Sequence, residues 1–87
     1  MDNAEQQVAA GGCAERLLSN EVFSGAVASL SEHYTTQLFK TPPEAADFRE
    51  ALYRKHKVLA ELINELQKVI DTGTVAKATL ARSGRKQ

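Results

Sequence analysis

One cysteine, Cys13, stands among the 87 residues, so the chain cannot close a disulfide on itself and nothing in it points to an oxidising compartment. Tryptophan is absent and aromatic residues make up 6%, so any core must be assembled from Leu, Val, Ile and Ala. That material suits packed helices better than a sheet sandwich. The only two prolines are adjacent, Pro42-Pro43, and leave the long stretches on either side free of the strongest helix breaker. No apolar run approaches the roughly 18 residues of a membrane span. The opening MDNAEQQV has neither a basic nor an apolar signal region, so Ala9-Ala10-Gly11-Gly12-Cys13 is not read as a lipoprotein cleavage site. The expectation is a soluble, intracellular chain with no membrane partner. Net charge is also missing, with eleven basic residues against eleven acidic ones, where a wholesale nucleic-acid binder is usually basic.

Chemistry-bearing residues are equally sparse. His33 and His56 each lack a second His or Cys at i+3 or i+4, the spacing a zinc site needs. Cys13 has no base placed beside it and reads as an inert thiol. Gly11-Gly12 lacks the preceding strand and the following Lys-Ser/Thr of a phosphate loop. Arg54-Lys55-His56-Lys57 would point around most of a helix rather than form one patch. No catalytic residue, metal, cofactor or small-molecule substrate is expected, and the chain is not read as an enzyme.

What the chain does contain is helical pattern. From Thr41 to Gly73 there is a start signal, an apolar stripe and a stop signal. Thr41 and Glu44 fit a capping box with Pro42 at the first helical position, and Gly73 fits a left-handed C-terminal cap. Between them Leu52, Leu59 and Leu66 repeat every seven residues, interleaved with Lys55, Leu62 and Val69 and flanked by His56, Ile63 and Ile70. Upstream, Val22, Phe23, Ala26, Val27, Leu30, Tyr34, Leu38 and Phe39 mark a helix over about 21–40. Residues 14–18 form a shorter one, with a kink or break at Ser19-Asn20.

The expected fold is therefore all-α: a short N-terminal helix followed by an antiparallel two-helix hairpin, oligomeric. Residues 1–12 are read as a flexible N-terminal segment, either a frayed tail or a weak extension of the first helix, 13–73 as the helical hairpin domain and 74–87 as a loose basic tail in which Val75 and Leu80 could dock one further turn. Leu59, Leu62, Ile63, Leu66 and Ile70 span more of the helix circumference than one antiparallel partner covers, and are the expected homo-oligomer or partner interface. The charge is uneven: all eleven acidic residues lie at or before Asp71, and after it come only Lys77, Arg82, Arg85 and Lys86. These four are the expected contacts for phosphate or an acidic partner.

The order Ala14-Glu15-Arg16-Leu17-Leu18-Ser19-Asn20 with Phe23, then Thr41-Pro42-Pro43-Glu44, Phe48-Arg49-Glu50-Ala51-Leu52 and Ile70-Asp71-Thr72-Gly73 resembles a group of small uncharacterised helical-hairpin proteins of tailed bacteriophages and prophages. It departs from them at Glu21, where the group has Pro. The resemblance implies a non-enzymatic phage assembly or virion accessory protein, a helical oligomer that docks on other phage proteins in the host cytoplasm or in the virion. Two alternatives stand beside it. One is a small DNA-packaging protein, similar to a terminase small subunit, that touches nucleic acid through its basic tail. The other is a phage regulator that binds a host protein.

Overall fold

The computed structural model describes residues 3–85. Among them are three α-helices and no strand: α1 Ala4–Ser19, α2 Glu21–Lys40 and α3 Ala46–Arg85. The all-α class is as the sequence predicts. The helices pack as two units, one of α2 with α3 up to Ile63, the other of α1 with α3 from Asn64 onward.

α1 starts well before residue 14. The side chain of Asn3 accepts the Gln6 N–H at 2.8 Å, and the Gln6 side chain accepts the Asn3 N–H at 3.0 Å. This reciprocal cap satisfies two amides of the first turn and holds residues 4–12 in a helix, an extension of the predicted first helix and not a frayed tail. The helix stops at Asn20, whose extended backbone (ψ 125°) breaks the spiral while its N–H still reaches the Leu17 carbonyl at 3.1 Å. The break expected at Ser19-Asn20 is there.

The turn between α2 and α3 differs from the expected capping box. Thr41 is a donor here: its hydroxyl reaches back to the Gln37 carbonyl at 2.6 Å and closes the end of α2. Pro42 cannot be the first helical residue because Pro43 follows it, and a residue before proline is pushed out of the α region. The two prolines instead build a turn closed by the Ala45 N–H on the Pro42 carbonyl at 3.0 Å, and α3 begins at Ala46. Arg49 secures the turn by donating to the Pro42 and Pro43 carbonyls at 2.9 and 2.8 Å.

In the unit of α2 and the first part of α3, the two helices meet along a shared seam. Ser31 Oγ and His56 Nε2 lie 3.1 Å apart, while Tyr34, Thr35 and Leu38 line a small cavity of about 130 Å³ with Leu52, Tyr53 and His56. Leu52 is the one large apolar side chain buried among the described residues, at 6% exposure. A Leu52→Ala variant is expected to lose about 2–3 kcal/mol of stability, since it enlarges a cavity already present. Urea melts followed by circular dichroism measure the loss, and an unchanged midpoint would show that this seam is not holding the unit.

In the unit of α1 and α3 the packing is carried by small residues. Gly11, Ala14, Gly73 and Ala76 are buried. A Cβ placed on Gly11 would come within 3.1 Å of the Gly73 Cα, and one placed on Gly73 within 2.8 Å of the Gln7 carbonyl oxygen. The two backbones therefore touch, which only glycine on both helices permits. This overturns the expected stop at Gly73. The residue is helical, no glycine among the described residues has a positive φ, and α3 runs on to Arg85. Packing against α1 outweighs the poor helix propensity of Thr72-Gly73-Thr74. Thr74 and Thr79 fit the helix by donating to the Ile70 and Val75 carbonyls, each at 3.1 Å. The stretch 74–85, expected as a loose tail, is the last part of α3.

Candidate functional site

The helical register of α3 decides which of its apolar residues are spent on intrachain packing. Leu52, Leu59, Leu66 and Gly73 follow one another every seven residues, and all are buried or half-buried. Ile63 and Ile70, one turn on from Leu59 and Leu66, are half-buried as well. Four of the five residues expected at an oligomer interface, Leu59, Ile63, Leu66 and Ile70, are thus turned in part toward the chain's own helices. Half-burial of these four leaves each with less surface to offer a partner than a fully exposed residue has.

Leu62, the fifth, is different. It remains 48% exposed, and Val58, one turn before it, is 62% exposed. Both belong to the flank that carries Lys55 and Val69 rather than His56, Ile63 and Ile70. Beside them lies an open groove of about 380 Å³, lined by Tyr34, Arg54, Lys55, Val58, Leu59 and Leu62. Leu30 stands one turn before Tyr34 on α2, on the same side of that helix, and is also exposed. The groove is apolar in the middle with cations at its rim. Arg54 is held there by Glu50 at 3.4 Å, an exposed i,i+4 pair that contributes little to stability.

The sequence signals Val58 only faintly. It lies outside the strongest heptad positions, so an apolar stripe drawn through the leucines and isoleucines passes it by. The useful signal is that it falls one turn from Leu62 on the flank where Lys55 makes burial costly.

Lys77 and Arg82 do not share a face of α3. Lys77 lines a groove with Glu15, Gly73 and Thr74, and Arg82 lies five residues further on, about 140° around the helix at 100° per residue. The Arg82 guanidinium reaches the Thr79 hydroxyl at 3.5 Å. Arg85 is the last residue of α3, and Lys86 lies outside the described residues. Cys13 is exposed, with the Arg16 guanidinium donating to its Sγ at 3.3 Å. Among the described residues no three His, Cys, Asp or Glu side chains gather as a metal ion would require, and no helix is long and apolar enough to cross a membrane. Comparison with protein-family models, with curated proteins and with solved structures finds no match to this chain.

Proposed function

We propose that this chain is a non-enzymatic assembly protein, a helical hairpin of α2 and the first part of α3 that self-associates and docks on other proteins. One observation carries the reading. Ala14, Leu52 and Ala76 are the only apolar side chains buried among the described residues, while Val22, Leu30, Phe39, Phe48, Val58 and Leu62 stand exposed. Burying one such side chain is worth about 1.5–3 kcal/mol, so a chain that leaves several open gains most of its remaining stability by covering them. The bacteriophage setting rests on the resemblance of residues 13–76 to small phage proteins. Within it the protein acts during particle assembly in the host cytoplasm or is carried in the virion, with other phage proteins as its docking partners. The divergent Lys77 and Arg82 give the nucleic-acid reading less support than the apolar flank gives this one.

Self-association couples folding to protein concentration, because a partner that binds only the folded chain stabilises it by mass action. Thermal melts over a roughly hundredfold concentration range should move to higher temperature by several degrees as the protein is concentrated. A midpoint that does not move would reject the self-association on which the reading stands.

A further inference from the structure

The exposed flank of α3 is its own complement. In helical order it carries Ala51, Lys55, Val58, Leu62, Glu65 and Val69, separated by alternating steps of four and three, so that they form one stripe along an uninterrupted helix. All six are exposed. Turning the stripe end over end about its middle brings Val58 onto Leu62, Lys55 onto Glu65 and Ala51 onto Val69. Every apolar residue meets an apolar residue, and each charge meets its opposite. That is the pattern an isologous two-fold contact requires, in which the same patch serves both copies.

We propose that the occupant of this flank is a second copy of the chain, its α3 lying antiparallel on the first, with Val58 against Leu62 at the centre and Lys55 paired to Glu65 on either side. The inference rests on the self-association reading above and adds its register and direction. The charges exclude the alternatives. A parallel pair sets Lys55 on Lys55 and Glu65 on Glu65 at the same layers. An antiparallel pair slipped by seven residues sets Lys55 on Val58 in one direction and Glu65 on Leu62 in the other, stranding a charge on an apolar neighbour each time. Glu65 is held by Lys68 at 3.0 Å, but both side chains are about two-thirds exposed, at 67% and 71%, and such a pair exchanges at little cost. The open groove beside Val58 and Leu62 leaves room for the side chains of the incoming helix.

Charge exchange tests the register. Lys55 and Glu65 are ten residues apart on one helix and do not touch within a chain, so any coupling between them must pass between copies. Sedimentation equilibrium in low salt is run on wild type, Lys55→Glu, Glu65→Lys and the double variant, with helix content checked by circular dichroism. Each single variant creates like-charge layers and should weaken dimerisation about tenfold or more, whereas the double variant restores opposite charges and should return to within about threefold of wild type. If wild type associates but the single variants associate equally well, or the double variant is no stronger than they are, the register is wrong and self-association stands. If wild type is monomeric at high micromolar concentration, both the register and the reading beneath it fall.

Discussion

Gly73→Ala is expected to destabilise the protein, and Gly25→Ala to stabilise it, although both put the same methyl group into a helix. Alanine is preferred to glycine in a helix interior by about 0.5–1 kcal/mol. At Gly25, which is exposed with nothing within 4 Å of an added Cβ, that preference is all that changes. At Gly73 the added carbon would sit 2.8 Å from the Gln7 carbonyl oxygen and 3.1 Å from the Gly11 Cα. Both are backbone atoms and cannot swing aside, so α1 must be displaced. Forcing extra carbon into a tight contact costs typically about 1–3 kcal/mol, enough to outweigh the gain in propensity. Gly73→Leu should go further and detach α1 altogether. Chemical melts give the sign for each variant, and hydrogen exchange should place the new opening in α1 while leaving the amides of α2 protected. Equal stabilisation by alanine at both positions would mean that the helices do not meet at Gly11 and Gly73.

Replacing Val58 and Leu62 together with Glu should abolish self-association and leave the helices formed. Val58 is 62% and Leu62 48% exposed, so the substitutions remove less from the fold than from an interface that covers both. In a two-fold dimer they remove four apolar side chains from the interface and place carboxylates against one another. Burial of each is worth about 1.5–3 kcal/mol, so even partial burial predicts a dissociation constant raised more than about a hundredfold. Ile63→Glu with Ile70→Glu should behave in the opposite manner. Those residues are half-buried against the chain's own helices, and charging them should cost helix content before it reports on assembly. Circular dichroism and light scattering on the two double variants separate the cases. Loss of helix in the Val58/Leu62 variant would mean that this flank belongs to the fold and not to a partner.

The contrast shows how far the sequence could be read. Three- and four-residue spacing marked α2 to its ends, and Ser19-Asn20 marked the break before it, because both signals are local. The seven-residue repeat of Leu52, Leu59 and Leu66 likewise located the inner line of α3. The repeat left open which flank turns inward, His56-Ile63-Ile70 or Lys55-Leu62-Val69, because that depends on where the neighbouring helices lie. The failures at Thr41 and Gly73 have the same origin. Each residue has the chemistry of a cap, yet a following proline in one case and a contact with Gly11, distant in sequence, in the other gave it different work. Gly11 falls within the segment read from sequence as flexible for the same reason. A glycine pair that permits two backbones to touch cannot be told from a flexible one until the partner glycine is found. The exposed flank of α3 is therefore legible only in part: the apolar spacing picks out Leu62 and passes by Val58, and it does not separate them from Leu59, Ile63, Leu66 and Ile70, which are half-buried.

The most direct test of the account is the mass of the intact chain in solution. Sedimentation equilibrium at several loading concentrations should give a weight-average mass that rises above the 9.5 kDa of one chain as concentration increases, and that falls back to it in the Val58→Glu, Leu62→Glu double variant. A wild-type protein that stays at 9.5 kDa up to high micromolar concentration would contradict the claim that the exposed flank of α3 is covered by a second copy.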